Sequence, residues 1–130
     1  MIKIVEALDK AQIEIARQLF REYQEFLNVD LCFQGFEEEL ANLPGKYAFP
    51  QGSILLAMQD DIVLGCVAVR ALKDKVCEMK RLYVLPQGQG KGIGRKLAEA
   101  VINKAKVLGY ETMQLDTLER LNAAIPEKDT

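Results

Sequence analysis

The sequence contains no histidine. That absence excludes Ser-His and Cys-His catalysis, imidazole metal ligation and the commonest general base. Cysteine is scarce: Cys32, Cys66 and Cys77 are odd in number, widely spaced and without a CxxC pair. Two of them sit in apolar, strand-like runs, where a free thiol behaves as a small hydrophobe, so reduced buried thiols and a cytoplasmic location are expected. No apolar run reaches membrane-spanning length, and the first nine residues carry charge too early for a signal peptide. The net charge is only −2, which argues against a general nucleic-acid binder. Repeats, low-complexity tracts and an interdomain linker are also missing, and no metal site is expected.

What is present is 130 residues of ordinary globular composition, the size of one domain spanning residues 1–130, with 126–130 as a polar tail. Residues 2–7 read as a short strand. Asp9 is a candidate N-cap for a long helix carrying Ala16, Leu19, Phe20, Tyr23, Phe26 and Leu27 at three- and four-residue spacing. Residues 28–34 break it, and Phe36, Leu40 and Leu43 suggest a short second helix ended before Pro44-Gly45. A loop over 46–52 carries Tyr47 and Phe49. Runs at 53–58 and 62–72 read as a hairpin around Gln59-Asp60-Asp61, and Lys73-Asp74-Lys75 turns the chain into a third run at 76–85. A helix follows over 93–108, stopped by Gly109, and then a strand over 112–117. Hairpins followed by one strand-helix-strand unit imply a mixed α/β sheet with one parallel crossover and helices on its faces.

The most informative stretch is residues 87–94, Gln-Gly-Gln-Gly-Lys-Gly-Ile-Gly, between the third long strand and the helix. Glycines let backbone approach an anion, and the first N–H groups of a helix favour negative charge. The five charges from Lys80 to Lys96 are all positive (Lys80, Arg81, Lys91, Arg95, Lys96), which suits a phosphorylated ligand. Two familiar phosphate loops fail. GxGxxG breaks because Gly90 and Gly92 are followed by Arg95, and Gly88 and Gly90 by Ile93; GxxxxGK[ST] breaks because Gly92 follows Lys91. Residues 1–50 are acidic, with nine acids against five bases. Solvated helix faces account for that as well as a small cationic ligand does.

What remains is Gln89-x-x-Gly92-x-Gly94, preceded by Arg-Leu-Tyr-Val-Leu-Pro at 81–86 and followed by an amphipathic helix. This combination resembles motif A of the GNAT acyltransferase superfamily, (Gln/Arg)-x-x-Gly-x-(Gly/Ala). The resemblance extends over residues 2–125 and is specific between 78 and 108. It implies acetyl-CoA as co-substrate, with no metal. The backbone amides of Gln89, Gly90, Lys91, Gly92, Ile93, Gly94 and Arg95 are then expected to cradle the pyrophosphate, with added charge from Lys91 and Arg95. The backbone of Leu82, Tyr83 and Val84 is expected to pair with the pantetheine arm like an extra strand, and the Leu82 N–H to face the acetyl carbonyl as oxyanion donor. Asn122 aligns with a cofactor-contacting Asn of relatives; a helix-cap role is an equal reading.

Acetyl transfer to an amine needs a neutral nucleophile, and an alkylamine of pKa about 10 is mostly protonated near neutral pH. Glu78 matches a glutamate base of some relatives. At four residues before Leu82, strand alternation is expected to place it on the same face; a solvated edge residue is the bland reading. The resemblance also implies a later tyrosine acid and further strands, and nothing past residue 125 matches them. A naturally short or prematurely ended chain follows, with no assigned general acid. An N-acetyltransferase acting on a primary amine of a small molecule or peptide is the leading expectation. A CoA-binding module without turnover, or a subunit pairing through the exposed edge of strand 112–117 (as a homodimer, for example), are the alternatives.

Overall fold

The computed structural model describes residues 2–27 and 36–115. In chain order the elements are β1 (Ile2–Glu6), α1 (Lys10–Leu27), α2 (Phe36–Ala41), β2 (Ser53–Gln59), β3 (Ile62–Lys73), β4 (Val76–Val84), α3 (Ile93–Leu108) and β5 (Thr112–Leu115). Short 3-10 turns occupy Gly45–Tyr47 and Pro86–Gly88. The expected chain break at 28–34, Cys32, the end of the last strand past Leu115 and Asn122 all lie outside the described residues.

The five strands form one sheet in sequential order, antiparallel through β4 and parallel between β4 and β5. This is the mixed α/β sheet the sequence implies. Both hairpins are two-residue turns. Gln59 pairs with Ile62 and Lys73 with Val76, and Asp60 (φ 56°) and Lys75 (φ 61°) supply the left-handed backbone that such turns require.

Helix α1 starts where Asp9 predicts. The Asp9 carboxylate accepts the Gln12 N–H (2.8 Å), and the Gln12 side-chain oxygen accepts the N–H groups of Leu8 and Asp9 (2.9 and 3.1 Å). This is a reciprocal capping box. Ile13, Ala16, Leu19, Phe20 and Tyr23 are buried along one face. Phe26, expected on that face, is 45% exposed, although its ring still leans on Tyr83 with centroids 5.5 Å apart. Helix α3 ends at Gly109 (φ 100°), where the Gly109 and Tyr110 N–H groups return to the last-turn carbonyls.

Two apolar layers sandwich the sheet. One joins α1, α2 and Tyr47 to Ile54, Leu56, Cys66, Ala68, Tyr83 and Leu85. The other joins Ile93, Leu97, Val101 and Ala105 of α3 to Leu55, Ala57, Val67, Val69, Cys77, Met79 and Leu82. Each fully buried aliphatic side chain contributes on the order of 2 kcal/mol, so these layers dominate the stability. Cys66 and Cys77 are free and buried, as expected. The 46–52 loop divides: Tyr47 is buried in the first layer, whereas Phe49 is 72% exposed.

Candidate active site

The site is organised by an irregularity in β4. Cys66 of β3 pairs with Tyr83 and Ala68 with Lys80, so Val67 stands opposite two residues, Arg81 and Leu82. Arg81 absorbs the extra residue with φ 62°. This β-bulge resets the alternation of side chains. Cys77 and Met79 point to the α3 layer, and so does Leu82. Arg81 instead meets α2, and Tyr83 lies in the α1 layer. Glu78, between Cys77 and Met79, therefore faces the α1/α2 side. The expectation that Glu78 and Leu82 share a face is corrected: they lie on opposite faces, because the four-residue count holds only for an unbroken pleat.

Beyond Leu85, the chain makes the 3-10 turn at Pro86–Gly88 and then the glycine loop. Gly90 (φ 82°) and Gly92 (φ 73°) take left-handed conformations, and a methyl group on either would meet no atom within 4 Å. Among the described residues their role is thus conformational. Gly92 is the N-cap residue of α3 and provides no side-chain cap. The first helical ladder bond is Lys96 N–H to Gly92 O (3.1 Å), which leaves the N–H groups of Ile93, Gly94 and Arg95 without an acceptor inside the helix. An oxyanion fits there. The amide of Gln89 differs, since it donates to Pro86 O (3.2 Å).

The positive charge is less concentrated than the sequence suggests. Lys91, Arg95 and Lys96 are exposed around the loop, but Lys80 and Arg81 are buried. Arg81 is fully buried on the opposite face. Its Nε and Nη2 donate to the two oxygens of Glu39 (3.0 and 2.8 Å), and its guanidinium lies 5.2 Å from the centre of the Phe36 ring. The side chain of Ile93 is buried in the core, and that of Tyr83 packs against Tyr23 and Phe26 while donating its hydroxyl to Glu22 (3.5 Å). Burial, and secondarily the Glu22 charge, raise the Tyr83 pKa. Only backbone groups of Ile93 and Tyr83 are thus available to a ligand.

On the α2 side a cavity of about 390 Å³ opens, lined by Glu38, Glu39, Asn42 and Pro44, by Gly45, Lys46 and Tyr47 of the adjoining turn, and by Arg70 of β3. Its size suits a small molecule. Sequence reading missed it, because its walls come from three separate segments. The one available signal was Arg70, a charge inside an otherwise apolar strand. The acidic residues of 1–50 are largely committed to partners in the fold: Glu6 to Lys104 and Ser53, Glu14 to Arg17, Glu37 to Arg21 and Glu39 to Arg81. Among the described residues no three carboxylate or thiol side chains converge as a metal would need, and no helix is long and apolar enough to cross a membrane.

Comparison with known proteins agrees with this geometry. Residues 14–126 match the model of the acetyltransferase (GNAT) family. An uncharacterized N-acetyltransferase of Schizosaccharomyces pombe is 41% identical over 111 residues, covering 84% of this chain and 68% of that protein. Another, from Dictyostelium discoideum, is 31% identical over 186 aligned positions, covering 96% of this chain and 85% of that protein. Among solved structures, a predicted acetyltransferase of Clostridium acetobutylicum with acetyl-CoA superposes with a TM-score of 0.71 at 12% identity, covering 93% of this chain and 88% of that one. Sheet order, glycine loop and family match converge: the chain belongs to the GNAT family of acetyl-CoA-dependent acyltransferases.

Proposed function

We propose that the protein transfers the acetyl group of acetyl-CoA directly to a primary amine of a small molecule or peptide, without a covalent enzyme intermediate. The observation that carries this reading is the left-handed Gly90–Gly92 backbone at the uncapped start of α3, immediately after a bulged strand. In this reading the amides of Gly90 through Arg95 hold the pyrophosphate, assisted by Lys91 and Arg95, which as exposed charges contribute about 1 kcal/mol or less each. The backbone of Leu82, Tyr83 and Val84 holds the pantetheine arm, and the Leu82 N–H stabilises the oxyanion, a role worth about 3 kcal/mol. Asn122 remains a candidate cofactor contact.

Glu78 takes the proton of the incoming ammonium, directly or through one water. Its placement on the cavity side of the sheet supports an acceptor that arrives from the α2 side. The neutral nitrogen attacks the acetyl carbon, the N–C bond forms and the C–S bond breaks. CoA leaves as a thiolate and takes up one proton, while a second is released to solvent. A thiolate of pKa about 8.5 departs without an assigned general acid, only more slowly.

Two measurements test the reading. Acetyl-CoA should raise the melting temperature, and a thiol reagent should detect CoA release across a panel of amines. A shift without release at any amine would mark a binding module instead, and no shift at millimolar ligand overturns both. Glu78→Gln should lower turnover and alter the pH profile; an unchanged rate and profile removes Glu78 from the mechanism. The reading also includes a cytoplasmic location, supported by the buried free thiols of Cys66 and Cys77, and a homodimer through the outer edge of β5, which light scattering would test.

A further inference from the structure

Arg70 and the exposed Lys46 are the cations that line the α2-side cavity, and Arg70 is the one carried by the sheet. It is half-buried, and its Nε makes one long contact, to Ala71 O at 3.4 Å. Among the described residues no carboxylate lies within 4 Å of its guanidinium. The other charges of the cavity do not supply one. Glu39 is held by both oxygens on Arg81, which leaves Glu38 against Lys46 and Arg70. The cavity is thus poised for a ligand with an anionic group, and a half-buried guanidinium binds a planar carboxylate through two parallel hydrogen bonds.

The register adds a distance. Arg70 stands directly opposite Glu78 across the β3–β4 pair, so the two side chains leave the same face from Cβ atoms about 5 Å apart. They form no ion pair with each other. A ligand that sets its amine at Glu78 and its carboxylate at Arg70 carries those groups only a few bonds apart. A polyamine lacks the carboxylate, and an extended peptide with a free N-terminus has its carboxylate too far away.

We propose that Arg70 is the specificity-determining residue of the acceptor site and that the acceptor is a free amino acid, bound by its carboxylate at Arg70 with its amine toward Glu78. This assignment rests on the acetyltransferase reading given above. The chemistry is the balanced transfer already described, with N-acetyl amino acid and CoA as products.

The test compares the proteinogenic amino acids with their α-amides and decarboxylated amines, in acetyl-CoA turnover and in calorimetric titration without acetyl-CoA. Amino acids should be preferred by roughly tenfold to a hundredfold in kcat/KM, mostly through KM, as expected for a charge-assisted pair. Arg70→Gln should bring that ratio close to one, and Arg70→Lys should retain part of it. If amides or decarboxylated amines serve the unmodified protein as well as the acids do, or if no amino acid is acetylated while acetyl-CoA still raises the melting temperature, the assignment is wrong and the acetyltransferase reading survives the former result. Loss of the acetyl-CoA shift itself overturns that reading, and this assignment with it.

Discussion

Arg81 and Glu39 join the bulge of β4 to helix α2 by two hydrogen bonds, with the guanidinium fully buried over Phe36. A buried charge there needs fixed partners, and Glu39 is one of them, so removing it is more damaging than the net value of the pair. Glu39→Gln is expected to destabilise the fold by about 3 kcal/mol or more, read as a lower urea midpoint. Arg81→Met combined with Glu39→Leu should recover much of that loss. If the single substitution is neutral, the pair does not anchor α2.

The glycines fall into two physical classes, and substitution to alanine should separate them. At Gly92 a methyl group meets nothing within 4 Å, so only the left-handed backbone opposes it, at a cost of about 1–2 kcal/mol. Gly92→Ala should fold, with a melting temperature a few degrees lower and a weakened response to acetyl-CoA. At Gly65 of β3 the same methyl would lie 2.7 Å from the Tyr83 carbonyl oxygen and 3.1 Å from Leu97 Cδ1. Gly65→Ala should therefore cost about 3 kcal/mol by overpacking α3 against the sheet. Circular dichroism melts of both variants check the contrast; equal losses would contradict it.

Alkaline pH should weaken the fold through three neutral groups. Burial raises the pKa of Cys77 above its ordinary 9.0, and burial first, with nearby charge second, raises those of Tyr83 and Tyr110 above 10.0. A raised folded value means that the folded chain holds its proton more tightly. Stability is complete below the unfolded values and falls as pH rises past 9.0 and then 10.0 toward the folded ones. Tyr83→Phe should flatten the decline above about pH 10, measured by urea midpoints across the alkaline range; an unchanged slope would show that Tyr83 does not contribute.

Much of this architecture was legible because periodicity and punctuation agreed. Asp9, Gly109 and the turn residues Asp60 and Lys75 sit where local chemistry alone fixes an element's end, and α3 was bounded correctly at Ile93–Leu108. The glycine loop was legible for the same reason. What was not legible depends on registry between strands. Nothing around Lys80-Arg81-Leu82 announces a bulge, so four-residue spacing predicts one face for Glu78 and Leu82, and charge alone groups Arg81 with the loop although Glu39, far away in sequence, pairs with it. The cavity was hidden for a similar reason, since α2, the following turn and Arg70 meet only when the sheet assembles.

The extra residue at Arg81 makes β4 one strand with two allegiances. Up to Lys80 the pleat follows one phase; from Leu82 onward it follows the other. Removing a residue here would not act as a local lesion: it would transpose inward and outward residues along half the strand, exchanging Tyr83 and Leu82 between layers. Substitutions on this strand should therefore be tolerated far better than single-residue insertions or deletions, and library selection on β4 would reveal a sharp length constraint beside a loose identity constraint.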